Sequence, residues 1–496
     1  MNSSNKIFFG VFWSVIVNLT NALYGFLAVP LLITYFGRSN YGLIALAISI
    51  NGYMTLLDMG FGSTNVRFFA EWLSNNNILK LKKLFSTTNA FYGLVGIINA
   101  IILVVVYIGA DHIFNLEIAQ RQILRNLLVI LMVSSVVNWY TASFNQFIQA
   151  SENVAWVQKM LLSSKLFTIF SLVLTITLKL SIEQYFFLTI ASVWLTIPCL
   201  VIKIKKIAPY LSFYPHFNID TFKEILPYSL NIFSFSIFSI LYQSSRSFLL
   251  GVESTVGDVA DFSILAGIAG IVQSLTGVFC GAILPSSSKA IALKDETAYN
   301  KIAYQGTKYV TIFVSFCVFG MCSIASPLLK VYVGDEFLHL TPWLYVFLLT
   351  LLSNHILANS SLILGGRNIL PLSKMTAVSS LLAISSMWLL IPYYKIGGVV
   401  IAMVLYNVMQ QLYYYLYYWP RLLHIKSAKI LKTSTVPIFF AGGVTCIMTI
   451  IIPLPNNEWI LIFCRGILFS LVYSFMIFIF MSKNDLIFLK NILKIH

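Results

Sequence analysis

Residues 8–36 read FFGVFWSVIVNLTNALYGFLAVPLLITYF and contain no charged side chain. A helix needs roughly 20 apolar residues to cross a hydrocarbon core of about 30 Å, so this run is long enough to span. It is too long for a signal-peptide core and lacks a convincing small-residue cleavage site, so it is expected to stay attached as the first span. Comparable runs recur to the end of the chain, near 41–66, 87–109, 124–149, 159–178, 184–204, 224–251, 262–288, 304–332, 342–365, 371–392, 396–419, 433–453 and 458–481. Backbone groups in lipid must be satisfied internally, which leaves helices or a closed barrel. Barrel strands would read as segments of about 10 residues with alternating polarity, whereas these runs are continuous and rich in Leu, Ile and Phe. The expected fold is an all-α polytopic membrane protein with about fourteen transmembrane helices. Composition agrees: of 496 residues 58% are hydrophobic and 10% charged, and the mean hydropathy is +0.85. A soluble globule cannot hide so much apolar surface.

The net charge of +15 does not point to nucleic acid, because no soluble module concentrates the basic residues. With the amino terminus inside, alternating spans put 23 Lys and Arg on the cytoplasmic side; six (Arg38, Arg121, Arg125, Lys179, Lys330 and Lys395) fall on the other. That asymmetry places both termini in the cytoplasm. The basic loops, Lys80, Lys82 and Lys83 among them, would also attract anionic membrane lipids. The six Cys lie in or beside apolar spans without metal-ligand spacing, so neither a metal nor a redox site is expected. The longest outer loop, about 110–121, leaves no room for an extracytoplasmic catalytic domain, so the chain is not read as an enzyme.

The longest internal break follows six spans. It carries Lys203, Lys205, Lys206, Pro209 and Pro215, a composition that suits a linker. The expected domains are therefore a six-helix bundle over 1–204, a cytoplasmic linker over 205–223, a second bundle over 224–420, and two further helices with a cytoplasmic tail over 421–496. Phe36-Gly37 followed by Tyr41-Gly42 is echoed by Val256-Gly257 followed by Phe262-Ser263. Six spans per half would make this a parallel repeat, with the two bundles in a pseudo-twofold arrangement around a central cavity.

Polar residues inside lipid are costly unless they face a bundle interior or water. Ser14, Asn18, Asn21 and Gly25 follow one helical face in the first span, and Asn51, Thr55, Asp58 and Gly62 do so in the second. Further stripes are Asn138, Thr141, Asn145 and Gln149; Ser236, Ser239, Gln243 and Arg246 with Tyr242 beside them; and Asn407, Gln410, Gln411 and Tyr414. They line a shared cavity on one reading and glue helices together on the other. Asp58 is too short to snorkel from its depth, and it is either a cavity residue that titrates or binds a cation or the structural partner of a base. Arg246 sits among Tyr242, Gln243, Ser244 and Ser245, which suggests an aqueous lining. Lys165 and Arg465 lie nearer span ends, where snorkelling competes with a role in solute binding. A phosphate-bearing solute would need such fixed cations, and a neutral sugar would need amides, hydroxyls and aromatic faces. Pro30 offers a hinge or a static kink.

Several motifs taken together resemble the polysaccharide-transporter branch of the multidrug/oligosaccharidyl-lipid/polysaccharide exporter superfamily, the O-antigen flippases in particular. They are Pro30-Leu-Leu-Ile-Thr-Tyr-Phe-Gly37 with Tyr41-Gly42-Leu43, Leu57-Asp58-Met59-Gly60-Phe61-Gly62 with Arg67, and Arg246-Ser-Phe-Leu-Leu-Gly251 with Val256-Gly257 and Phe262-Ser263. Many relatives carry an acidic residue before the Arg246 position, where this chain has Ser245. The resemblance implies two six-helix bundles around a V-shaped cavity working by alternating access. It implies an undecaprenyl-pyrophosphate-linked oligosaccharide, such as an O-antigen unit of lipopolysaccharide or a capsule unit, flipped from the cytoplasmic to the periplasmic leaflet of a bacterial inner membrane. No cofactor is implied beyond a coupling H+ or Na+, and the polymerase of the same pathway is an expected partner. On this basis Arg246, Lys165 and Arg67, with Asn18, Asn21, Tyr242 and Gln243, would serve the headgroup and cavity, and Asp58 and Pro30 would serve coupling or gating. The rival readings are a drug or cation antiporter of the same superfamily, a membrane glycan polymerase or ligase, and a non-transporting scaffold.

Overall fold

The computed structural model describes residues 3–292, 295–359, 362, 370–453, 455 and 457–480. The end of the expected span 342–365, the tail after the last helix, and Lys294, Arg367, Lys483, Lys490 and Lys494 of the charge count lie outside the described residues. So do the side chains of Lys6, Cys280 and Lys289.

The described residues form helices and no strand. In chain order these are α1 (Ser3–Phe36), α2 (Arg38–Tyr53), α3 (Phe61–Ser74), α4 (Ile78–Ile113), α5 (Ile118–Ala150), α6 (Val154–Leu178), α7 (Ile182–Trp194), α8 (Ile197–Ile207), α9 (Ile219–Glu253), α10 (Val256–Ala292), α11 (Glu296–Asn300) and α12 (Thr307–Val333). They continue with α13 (Thr341–Thr350), α14 (Leu370–Tyr394), α15 (Ile396–Tyr413), α16 (Ser427–Ile430), α17 (Val436–Ile451) and α18 (Glu458–Phe480). Among the described residues 13 helical stretches are long and apolar enough to cross a membrane. The two parts of α9, Ile219–Ser234 and Ser236–Glu253, meet at 51° and make a fourteenth if they form one span. The all-α polytopic fold expected from the apolar runs is the fold observed.

Polar residues end the helices where they leave the apolar runs. Asn77 accepts the Lys80 N–H at the start of α4, and the Ser181 side chain accepts from the Gln184 N–H while Gln184 returns a bond to the Ser181 backbone. Such caps satisfy amides that a helix start leaves open. Gly37 turns the chain between α1 and α2 at φ +86. In this left-handed region a side chain is strained.

The chain divides into two compact units, Met1–Gly267 with Thr376–Val399, and Ile268–Met375 with Val400–His496. The first is packed around aromatic side chains: Phe61, Phe69, Phe85, Phe147 and Tyr92 are essentially fully buried, and Phe85 and Phe144 stack with ring centroids 6.0 Å apart. The stretch read as a linker joins this core, because Phe213 packs on Phe85 and Phe144 and its carbonyl accepts the Tyr140 hydroxyl. In the second unit Phe469 and Tyr473 of α18 meet Phe316 of α12, and the Tyr473 hydroxyl donates to the Ile312 carbonyl at 2.8 Å. Gly442 of α17 lies so close to Phe319 and Ser315 of α12 that a Cβ would not fit.

The second expected span is not one continuous α-helix. α2 passes into a tighter turn over Met54–Asp58, then Met59 (φ 48) and Gly60 (φ 77) adopt left-handed conformations before α3 begins at Phe61. α9 closes over this break, since the Ser229 hydroxyl donates to the Met59 carbonyl at 2.5 Å and the Ser229 carbonyl lies 2.6 Å from where a Gly60 Cβ would sit. Left-handed backbone costs a non-glycine residue about 1–2 kcal/mol, and the clash adds to it. Gly60→Ala should therefore lower the thermal midpoint of the detergent-solubilised protein by several degrees. Gly270→Ala, whose Cβ would meet nothing within 4 Å, should leave the midpoint unchanged or raise it slightly.

Candidate functional site

The first unit holds a cavity of about 590 Å³. α1 supplies Tyr24 and Gly25, α2 Tyr41, Ser49 and Gly52, α6 Lys165 and Thr168, α7 Tyr185 and Thr189, α9 Gln243, Ser244 and Ser247, and the start of α10 Ser263; apolar residues such as Ala28, Val29, Leu32 and Ile44 fill the wall between them. The lining thus mixes hydroxyls, one amide, one ammonium and aromatic faces, a set that can hold a polar solute in an apolar surround.

Lys165 lies eleven residues inside α6, which puts it about 16 Å along the axis at 1.5 Å per residue. This is mid-helix, not the span end expected from the sequence, because α6 starts at Val154 rather than 159. Its ammonium sits 4.0 Å from the centroid of the Tyr24 ring. The Tyr24 and Tyr185 hydroxyls share a hydrogen bond of 2.9 Å, which anchors that ring. Among the described residues no carboxylate pairs with Lys165. A cation held by an aromatic face keeps its charge available to an incoming anion, whereas an ion pair would have neutralised it.

The sequence-derived candidates fall in different places. Gln243 joins Lys165 on the cavity wall. Asn18 and Asn21 are exposed on α1, about two turns and one turn before Gly25 respectively, and do not line the cavity. Tyr242 is buried beside it on α9, with the Arg246 guanidinium 4.5 Å from its ring centroid, and neither residue is part of the lining. Arg67, exposed on α3, lies over the Tyr228 ring at 4.2 Å. Pro30 is half-buried within a continuous α1. At the position where relatives carry an acid, Ser245 accepts the Tyr53 hydroxyl at 2.8 Å.

Asp58 occupies the helix break. One carboxylate oxygen accepts the Gly62 N–H at 3.1 Å, and so caps the start of α3. The other accepts the Tyr92 hydroxyl at 2.7 Å. Gln146 donates to that hydroxyl at 2.7 Å, Asn65 donates to Gln146 at 2.9 Å, and Thr88 donates to Asn65 at 3.4 Å. Every bond in this chain runs toward the carboxylate, which ends it as the acceptor. Sequence reasoning missed Asn65, Tyr92 and Gln146; only the spacing of Asn65 on the Asp58–Gly62 face could have suggested any of them.

A second feature missed in the sequence joins the two echoing motifs. Arg38, one residue after Gly37, forms a two-pronged pair with Asp261, one residue before Phe262, at 2.7 and 2.5 Å. Asp261 is 1% exposed and Arg38 42%. Gly42 abuts the Val256 carbonyl so closely that no side chain could stand there, and a Gly257 Cβ would lie 3.5 Å from the Arg38 guanidinium carbon. The charged pair latches α2 to α10 at the end of the cavity marked by Tyr41 and Ser263.

A family of polysaccharide biosynthesis proteins matches residues 7–291. No curated protein matches the chain in sequence. Among solved structures, the lipid II flippase MurJ in an inward closed conformation superposes with a TM-score of 0.74 at 15% identity, covering 96% of this chain and 100% of its own. An inward-facing multidrug resistance MATE family transporter of the MOP superfamily gives 0.59 at 13% identity, covering 88% and 98%. The MATE multidrug transporter DinF-BH gives 0.55 at 15%, covering 82% and 94%.

Asp261→Asn keeps one acceptor oxygen but removes the countercharge and one of the two prongs, at a cost of about 2 kcal/mol, or roughly 30-fold in the latched population. Asp261→Asn should accordingly raise the reactivity of a cysteine placed at Ser263 toward a polar thiol reagent. The swap Arg38→Asp with Asp261→Arg should restore part of the protection. Equal reactivity in all three proteins would refute the latch.

Proposed function

Because this chain belongs to the polysaccharide biosynthesis protein family, we propose that it flips undecaprenyl-pyrophosphate-linked oligosaccharide units, of O-antigen or capsule, from the cytoplasmic to the periplasmic leaflet by alternating access. The observation that carries this reading is Lys165, a mid-helix cation without a carboxylate partner among the described residues, laid over Tyr24 in a hydroxyl-lined cavity. Ammonium and hydroxyls suit a phosphate with the first sugar beside it, and the aromatic faces suit the pyranose. In this reading the cavity acts as a seat for the headgroup.

Arg246 and Arg67 serve the anionic headgroup along its route, each guanidinium already held against a tyrosine. Tyr242, Asn18 and Asn21 flank that route with polar groups. Asp58 acts in coupling or gating: gaining H+ or Na+ there would disturb the Gly62 cap and the Tyr92 chain together and so alter the break between α2 and α3. Pro30 provides the hinge of α1. The protein works in a bacterial inner membrane with both termini cytoplasmic, two six-helix bundles over 1–204 and 224–420 and two added helices, alongside the polymerase of its pathway and without catalysing a covalent step.

The antiporter reading has its support in the MATE superpositions. The test uses a host strain deleted for its own copy of the gene. Lys165→Met should reduce surface polymer at least about tenfold with membrane insertion unchanged, and Lys165→Arg should retain a substantial part, because the charge persists. Asp58→Ala and Arg246→Ala should also abolish polymer. Normal polymer in the Lys165→Met, Asp58→Ala and Arg246→Ala proteins would refute the reading, and resistance to cationic dyes in a pump-deficient host would favour the antiporter.

A further inference from the structure

The second unit contains a polar chain that none of the cavity residues touches. His355 is 3% exposed. Its Nδ1 lies 2.8 Å from the Leu352 carbonyl, which can only accept, so Nδ1 carries a hydrogen. Its Nε2 lies 2.7 Å from the Tyr415 hydroxyl, and that hydroxyl lies 2.8 Å from Thr435 Oγ1.

Each member sits where its helix departs from α geometry. His355 lies in a tight turn over Leu351–Ile356, Tyr415 in a wide π-type stretch over Tyr414–Leu422, and Thr435 at the end of another over Leu431–Thr435. Such departures loosen the backbone ladder and recur at functional sites. Here three converge on one imidazole. Gln411 adds to this by donating to the Ser353 carbonyl at 3.2 Å, one of the carbonyls in the tight turn.

The imidazole also borders a cavity of about 440 Å³ lined by Leu349, Val404, Val408, Leu412 and Phe439, with Asn407 and Gln411 as its amides. No other lining residue can take a charge. The groups packed on His355 are the Tyr415 ring, 5.9 Å away, and the Phe439 ring, 5.4 Å away. Tyr415 is the titratable one, and among the described residues no carboxylate pairs with His355. An imidazolium here would be an unpaired charge in apolar surroundings, so the arrangement described is that of the neutral ring. Tyr415 then donates to Nε2 and accepts from Thr435.

We infer that His355, Tyr415 and Thr435 form a proton-binding site whose loading draws water into the neighbouring apolar cavity. The arriving proton takes the Nε2 lone pair. Nε2–H then donates to the Tyr415 oxygen, Tyr415 turns its own hydrogen to Thr435, and Thr435 turns its hydrogen to a carbonyl one turn earlier in its helix. The net gain is one proton and one positive charge, with no bond to carbon changed. The charge is tolerated only once water reaches it, so proton binding and the shift between dry and wet states are linked. As the entry point of the driving ion this inference rests on the flippase reading, but the proton site itself does not.

The test places a single cysteine at Val408 in the otherwise cysteine-free full-length chain, in membrane vesicles. Its labelling by a charged methanethiosulfonate is compared with that of a cysteine at exposed Ser212, which corrects for thiolate ionisation. From about pH 8 to about pH 5 the ratio should rise roughly tenfold, because the imidazole regains the proton affinity of a solvated histidine only in the wet state. His355→Gln should flatten the response. Thr435→Val keeps the imidazole but denies Tyr415 its second acceptor, so the rise should move to lower pH. A flat ratio in the parent, or the same rise in His355→Gln, or an unmoved midpoint in Thr435→Val would each overturn the site. The labelling needs no glycan, so its failure leaves the flippase reading standing, and normal polymer in Lys165→Met leaves the labelling result standing.

Discussion

Inside a bilayer every hydrogen-bonding group that a helix releases must find a partner within the protein, since hydrocarbon offers none. That constraint explains why the interruptions of this chain are so heavily furnished. Where α2 gives way to α3, the Asp58 carboxylate takes the amide of Gly62, the Ser229 hydroxyl takes the carbonyl of Met59, and the backbone of α9 leaves room for no residue but glycine at position 60. At this break the Gly62 amide and the Met59 carbonyl are both bonded again.

The same constraint separates the charges of the first unit by role. Arg38 and Asp261 cancel each other across two prongs, which fixes one helix against another. Lys165 is offset by an aromatic face instead, and an aromatic face yields to an anion at little cost. Asp58 stands between these cases, because hydrogen bonds rather than a countercharge stabilise it. A two-pronged ion pair, an aromatic-held cation and a hydrogen-bonded acid are three distinct electrostatic solutions within one helical unit. The second unit adds a fourth, a neutral imidazole at the junction of three loosened helices.

The apolar runs alone specified the transmembrane helices, because each crossing must be long and apolar whatever it packs against. The stripes told which faces were polar, and Gln243 of one stripe does line the cavity. They could not tell which polar residues share a site. Asn145 and Gln149 follow the stripe, yet Gln146, one position off it, carries the bond to Tyr92, because neighbouring helices cross at angles that a single helical wheel does not contain.

Sequence by itself therefore determined that this chain is a bundle of membrane-spanning helices and that Lys165 and Arg246 lie within helices, since transfer free energy is a sum over local composition. Only tertiary structure decided that Lys165 rests on Tyr24, that Arg38 closes on Asp261 across 223 positions, and that His355 meets Tyr415 and Thr435. Pairing between distant residues depends on helix register and crossing geometry, which local hydrophobicity does not encode.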